Sequence, residues 1–227
     1  MIILGIDTSC EQASCAIYSE NGIQERRSVV DKRKHSETLM PMIDAFLKDI
    51  GISVRDIDLF AVSGGPGSFT GLRIGMAAIK GMAYSLNKQI AVIKTPDVLA
   101  NYYCIEGDTI CPVTDARNNQ VYTAVYKWNN GFYRPVTDYI GIKIEELADI
   151  LKKHEKVKFC GDAAIKHYEF FRDNNINCTE PDPDKLFPSA GVLVRLAAAG
   201  FGDIVSPAEA VPFYLRVSQA ERFHGKS

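Results

Sequence analysis

The sequence predicts an α/β protein built from two related lobes, and three observations support that class. Strand-like apolar runs alternate with amphipathic helical patterns along most of the 227 residues. A pattern also repeats: Ile6-Asp7 closes one apolar run and Thr114-Asp115 another. Each Asp is followed nine, ten and eleven residues on by Ala, a β-branched residue and Tyr (Ala16-Ile17-Tyr18 and Ala124-Val125-Tyr126), and each stretch finishes at Asn-Gly. Composition is that of an ordinary globular chain, 46% apolar and 24% charged, which excludes disordered, collagen-like and low-complexity classes.

Taken in order, the first lobe opens with an Asp-ended strand and a hairpin. Residues 35–50 then place Leu39, Met42, Ile43, Phe46, Leu47 and Ile50 at helical spacing, with Gly51 positioned to end the helix. Residues 58–63 read as a short buried strand that leads through a glycine-rich loop into a helix over 71–86. Residues 90–93 form another strand, and Thr95-Pro96-Asp97 starts a helix with Pro near its first turn. In the second half, 144–153 reads as a helix, 157–160 as a strand, and 163–174 and 189–199 as helices. The lobes are expected at 1–103 and 104–210, with the segment from about 211 to 227 a candidate to pack back on the first. An Asp-ended hairpin opening each lobe is the pattern of the actin-like (ASKHA, Hsp70/hexokinase-type) fold.

Charge and cysteine usage narrow the function classes. The chain has 26 basic and 28 acidic residues, net −2, so it lacks the cationic surface of an autonomous nucleic-acid binder. Its six cysteines form no C-x-x-C pair, which suits a reducing compartment and argues against a zinc site. No run of about 18 apolar residues occurs and the N-terminus has no basic leader, so a cytoplasmic protein without membrane contact is expected.

The most unusual stretch is Ser63-Gly64-Gly65-Pro66-Gly67-Ser68-Phe69-Thr70-Gly71-Leu72-Arg73-Ile74-Gly75. A Walker loop needs Lys and Ser/Thr after its last glycine, and a nucleophile elbow needs Gly-x-Ser-x-Gly; neither occurs. A tight structural turn and a ligand or partner contact remain as readings. Asp7 and Asp115 stand where an actin-like ATPase places carboxylates near metal and phosphate. Their turns, Thr8-Ser9-Cys10-Glu11 and Ala116-Arg117-Asn118-Asn119, carry no glycine, which favours a vestigial site. His35 would need a second metal ligand four residues on, where Leu39 stands, and His154, His167 and His224 are isolated. Lys32-Arg33-Lys34 reads as a solvated basic loop. No catalytic, cofactor-binding or metal residue is expected. The helix over 71–86 carries two apolar stripes, Leu72-Met76-Ile79-Ala83-Leu86 and Ile74-Ala78-Met82 with Ser85. Either the helix over 35–50 covers the second stripe, or the two helices present a surface to another protein. Leu39, Met42, Ile43, Phe46, Leu72, Met76, Ile79 and Met82 are the candidates for that surface.

Several segments together resemble the TsaB (YeaZ) family. They are Ile6-Asp7-Thr8-Ser9, His35-Ser36-Glu37-Thr38-Leu39-Met40-Pro41, the stretch from Gly65 to Gly75, Asp115-Ala116-Arg117 with Val121-Tyr122, Gly161-Asp162, and Pro212-Phe213-Tyr214-Leu215-Arg216. The resemblance implies a non-catalytic partner of a TsaD-type transferase that places threonylcarbamoyl on adenosine in tRNAs reading ANN codons. A TsaE-type ATPase would join the assembly, and tRNA would be met only through the complex. It further implies that the helices over 35–50 and 71–86 form the partner bundle. When the chain is alone, the same apolar surface is expected to pair with its own copy by two-fold symmetry, a homodimer. Leu39 departs from the transferase's metal-ligand histidine pair. The alternatives are an active actin-like ATPase or a glycoprotease-like metallopeptidase.

Overall fold

The computed structural model describes residues 1–29, 35–103 and 106–215. In chain order its elements begin with β1 (Ile3–Asp7), β2 (Gln12–Ser19), β3 (Gly22–Val29), α1 (His35–Asp49), β4 (Leu59–Gly65), α2 (Phe69–Ser85), β5 (Gln89–Lys94) and α3 (Thr95–Ala100). There follow β6 (Thr109–Asp115), β7 (Gln120–Thr123), β8 (Tyr126–Asn129), β9 (Phe132–Pro135), β10 (Ile140–Lys143), α4 (Ile144–Leu151), β11 (Val157–Cys160), α5 (Asp162–Asp173) and β12 (Cys178–Thr179). The last are α6 (Ala190–Ala198) and β13 (Asp203–Val205). The chain divides into two compact units, Met1–Tyr102 with Phe187–Pro212, and Tyr103–Leu186 with Phe213–Ser227.

In the first unit the sheet order is β13-β5-β4-β1-β2-β3, with β1, β4 and β5 parallel and β2 and β3 antiparallel. One face of this sheet (Leu4, Ile6, Phe60, Val62, Ile90, Val92) packs on Leu39, Ile43, Phe46 and Leu47 of α1 and on Met76, Ile79 and Ala83 of α2. The opposite face is covered by α6. Gly5 makes that packing close, because a Cβ there would lie 2.4 Å from Val194 Cγ1. The second unit repeats the order as β10-β7-β6-β11-β12, adding the β8–β9 hairpin. Its core gathers Cys111, Val113, Val121, Leu147, Leu151 and Val157, with Phe159 and Phe171 stacked at 4.4 Å between centroids. The shared 3-2-1-4-5 order, two antiparallel strands beside parallel ones, is the actin-like lobe that the repeat predicts.

The structure corrects the sequence reading in two places. Residues 187–210 do not belong with the second lobe. Helix α6 lies on β1 and β2, and β13 pairs antiparallel with β5, so this return segment completes the first unit. An amphipathic helix shows that it has an apolar face, but not which sheet that face covers. Phe213–Leu215 go with the second unit, and the expectation for the remainder of 211–227 lies outside the described residues from 216 on. The repeat is also less regular in space than in sequence. Asp7 opposes Ser14, whereas Asp115 opposes Val121, so the second hairpin is one residue tighter. It is tightened by Arg117, Asn118 and Asn119, all left-handed at φ 63°, 55° and 56°. The single strand β2 corresponds to β7 and β8 together, broken at Ala124-Val125. Asn130-Gly131 form a two-residue loop with both φ positive, while Asn21-Gly22 is displaced by one and Ser19 pairs with Gly22.

Candidate functional site

Two features of the first unit are candidates for function: the carboxyl edge of its parallel strands, and the outer face of α1 and α2. Asp7 ends β1 and is fully buried. Its Oδ1 accepts the Ser9 backbone N–H at 3.0 Å and the Ser9 hydroxyl at 3.0 Å, and Oδ2 lies 3.2 Å from the same hydroxyl. Burial raises its pKa above the ordinary carboxyl value; Ser63 and Ser9 oppose that rise. The Ser63 hydroxyl lies beside the carboxyl but meets no partner with hydrogen-bond geometry. The carboxyl is thus enclosed within the turn that follows it and bonded to Ser9.

The glycine-rich loop packs on the turn after Asp7. A Cβ on Gly67 would lie 2.5 Å from Ser9 O, one on Gly71 2.0 Å from Thr8 O, and one on Gly75 2.3 Å from Thr8 Oγ1. Thr8 Oγ1 donates to Gly71 O at 2.7 Å, and Ser68 N–H donates to Ser9 O at 2.7 Å. Ser68 then caps α2, its Oγ accepting Gly71 N–H at 3.3 Å. These glycines thus serve close backbone packing, and the Ser68 and Gly71 amides that could have faced a phosphate are spent on protein oxygens. The tight-turn reading accounts for the loop.

In the second unit Asp115 is exposed. Its Oδ1 accepts Arg117 N–H at 2.8 Å, and its own N–H donates to Asp162 Oδ1 at 3.0 Å. His167 lies near Asp115 and Glu145, yet burial and Lys166 lower its pKa. Among the described residues no group of three or more His, Cys, Asp and Glu side chains is disposed to hold a metal. Leu39, at the position a helical metal pair would need, is in the core. Burial pushes the Cys15 and Cys111 thiols up to about 12 and Cys160 well above its usual value, so none of these three is a thiolate nucleophile. Lys32, Arg33 and Lys34, together with His224, lie outside the described residues.

The eight interface candidates separate into two groups. Leu39, Ile43, Phe46, Leu72, Met76 and Ile79 are all buried within the first unit, none more than 4% exposed. Residues already enclosed by their own unit offer no surface, so the stripe Leu72-Met76-Ile79-Ala83 is the sheet-facing one. Met42 and Met82 are half-buried at the margin of the same core, beside Ile74 and Ala78. The outer side of α2 runs Thr70, Ile74, Ala77, Ala78, Gly81, Met82 and Ser85 without a charge, and Tyr84 beside it is 80% exposed. A Cβ at Gly81 would meet nothing within 4 Å. The charged residues flanking this strip, Arg73 and Lys80, are turned to local partners: Arg73 sits 3.8 Å above the Phe69 ring, and Lys80 Nζ donates to Ala210 O at 2.8 Å. From α1, Met42 is joined by exposed Pro41 and Ala45, and Met40 is 46% exposed. A solvent-facing helix side normally carries charge. The sequence signals this face twice, in the second apolar stripe of Ile74, Ala78 and Met82 with Ser85 and in the absence of charge at 74–79 and 81–86.

Comparisons with known proteins agree on the chain's relatives. The family model of TsaD, tRNA N6-adenosine threonylcarbamoyltransferase, matches residues 28–199. The tRNA threonylcarbamoyladenosine biosynthesis protein TsaB of Bacillus subtilis is 32% identical over 175 residues, covering 76% of each chain. The protein of the same name from Escherichia coli is 28% identical over 229 residues, covering 95% of each. The solved structure of YeaZ from Pseudomonas aeruginosa superposes with a TM-score of 0.80 at 27% identity, covering 94% of this chain and 99% of that one.

Proposed function

The chain belongs to the TsaB (YeaZ) branch of the TsaD-type family, and from that premise we propose that it serves tRNA threonylcarbamoyladenosine biosynthesis as a non-catalytic partner of a TsaD-type transferase. The observation that carries this reading is the uncharged outer face of α2 with Met42 of α1. Exposed Ala77 and Gly81 beside half-buried Ile74, Ala78, Met82 and Met42, in place of charged residues, suit close helix-to-helix packing against a partner helix pair. The transferase is a paralogue by the family match, so its own first lobe supplies a similar helix pair. When the chain is alone, a second copy takes that place through a two-fold pairing. A TsaE-type ATPase joins this assembly, and tRNA is engaged through the complex.

Two further observations support the absence of chemistry on this chain. Asp7 is enclosed and bonded to Ser9, and the glycine loop packs its backbone on the Thr8-Ser9 turn that follows. The net charge of −2 favours no autonomous grip on tRNA. No helix among the described residues is long and apolar enough to cross a membrane.

The test is a tRNA-modification assay with purified components, adding or omitting this chain. Stimulation of the transferase by the wild type, lost in Ala78→Glu or Met82→Glu while both variants stay folded, is the expected result. ATP hydrolysis by the isolated chain that disappears in Asp7→Asn, or zinc-dependent peptidase activity, would replace this reading with one of the enzymatic alternatives.

A further inference from the structure

We propose that, within the assembly inferred above, the second unit contacts the phosphate backbone of the tRNA through a cationic face made by the β8–β9 hairpin and the end of α4. The hairpin brings the first charges together. Lys127 lies directly opposite Arg134, and on the same face Asn129 lies opposite Phe132. The ladder continues through Val136 N–H, which donates to Val125 O at 2.7 Å, and Val125 shares a core with Leu151, the last residue of α4. Lys127, two residues after Val125, therefore stands on the side of the sheet that α4 covers. Past Leu151 the chain continues as Lys152, Lys153 and His154, the His154 N–H donating to Leu151 O at 3.0 Å. Lys127 and Lys153 both act on the half-buried His154 imidazole, so the hairpin cation and the helix-end cation share one field.

The fold alone does not account for these charges. Cations at the end of a helix are ordinary, because its carbonyl end favours them, and Lys152 is also paired with Asp149 at 2.8 Å. That covers the helix end but not the hairpin, where directly opposed like charges weaken the strand pair. Among the described residues neither Lys127 nor Lys153 forms an ion pair. Lys156 and Lys158 show the contrast. They flank the core residue Val157, point to the other side of the sheet, and both reach Asp108, at 3.1 and 3.8 Å. The basic run from 152 to 158 is thus neutralised on one side and left open on the other, with exposed Glu155 the one acid that interrupts it. Exposed Lys127, Lys153, Arg134 and Asn129 beside half-buried Phe132 give cations, an amide and an aromatic ring on one face. That composition suits phosphates and an unstacked base better than an acidic protein segment. In a chain of net charge −2 it adds to a grip shared with the transferase, and in that respect it rests on the proposed function.

The experiment measures tRNA binding to the complex of this chain with a TsaD-type transferase over a range of potassium chloride concentrations. The chains compared are wild type, Lys127→Gln, Lys153→Gln, the double variant, and Lys88→Gln in the first unit as control. We expect each of the two single variants to make the log–log salt slope shallower by about one, and the double variant to lose about tenfold in affinity at low salt. Lys88→Gln should change neither. Unchanged slope and affinity in the double variant would overturn the proposal. So would intact tRNA binding with loss of a TsaE-type ATPase from the complex, which would assign the face to a protein. Lys127→Gln should melt no lower than wild type, since it removes an opposed like charge; a lower melting temperature would make Lys127 a structural residue and overturn its assignment. The proposed function is judged separately, by whether the wild-type chain stimulates the transferase at all. If it does not, the same chains are titrated with tRNA alone at low salt. Weak binding lost in the double variant supports the proposal, and no binding, or binding indifferent to both lysines, overturns it.

Discussion

Asp7 and Asp115 occupy the same point in the same strand order, each closing the central strand of its sheet, and their surroundings are opposite. Asp7 is fully buried and bonded to Ser9, and the glycine loop that enters α2 packs on the Thr8-Ser9 turn after it. Asp115 is exposed and holds together a turn of three consecutive left-handed residues, Arg117, Asn118 and Asn119. The glycines explain the contrast. Gly67, Gly71 and Gly75 let loop and helix close on the β1–β2 turn, whereas the second unit's close approach is made elsewhere, by Gly161 onto Val113, where a Cβ would lie 2.4 Å from the carbonyl oxygen. One topology can thus bury or display the same strand-end carboxyl, according to which loop is free of side chains.

The comparison extends to α2, whose two faces should respond very differently to the same substitution. Ile79→Glu places a carboxyl at a position with no exposure and should unfold the first unit, a loss of more than about 4 kcal/mol. Circular dichroism during urea titration would show it, and a well-folded Ile79→Glu chain would mean that the inner and outer stripes are exchanged. Next in size is Gly71→Ala, in which the new methyl meets the Thr8 carbonyl. Overpacking against backbone should cost about 3 kcal/mol, read as a lower urea midpoint at unchanged slope.

Asp7→Asn should move stability the other way. The folded pKa of Asp7 is raised by burial, so its contribution is fully present below its unfolded value near 3.8 and declines as pH rises through the folded value. The Asn variant lacks that decline. Its melting temperature should exceed the wild type's at pH 8, with the difference shrinking as pH falls toward 4. A variant less stable at pH 8 than at pH 4, relative to wild type, would show that the carboxylate is stabilising as an anion. The smallest effect belongs to the second unit. Arg117→Gly relieves a left-handed residue at φ 63° and should gain less than about 1 kcal/mol in a melting experiment, because glycine's added chain entropy offsets part of the relief.

Much of this arrangement was legible from particular residues. The Asp-ended strands, the helix over 35–50 and the strand over 157–160 followed from periodicity, since a sheet or helix that buries one face must show it in sequence. The one-residue difference between the hairpins was not legible: Arg117-Asn118-Asn119 adopt left-handed conformations that glycine usually marks, and no glycine is there. The place of α6 depended on long-range packing that its own apolar face does not encode. The interface candidates erred toward the core for a related reason. Spacing showed both stripes of α2, but the candidates were drawn mostly from what is buried at home, Leu39, Ile43, Phe46, Leu72, Met76 and Ile79, and only Met82 from the outer stripe of Ile74, Ala78, Met82 and Ser85.

The central claim is that the chain acts through the outer face of α2 and not through the chemistry of Asp7. The direct measurement is the rate at which a reconstituted TsaD-type transferase forms threonylcarbamoyladenosine in tRNA, supplied in turn with wild-type chain, Asp7→Asn and Ala78→Glu. The account predicts that Asp7→Asn sustains the wild-type rate and that Ala78→Glu, folded by circular dichroism, reduces it at least about tenfold, the effect of about 1.4 kcal/mol lost at the interface. A rate abolished by Asp7→Asn and untouched by Ala78→Glu would contradict it.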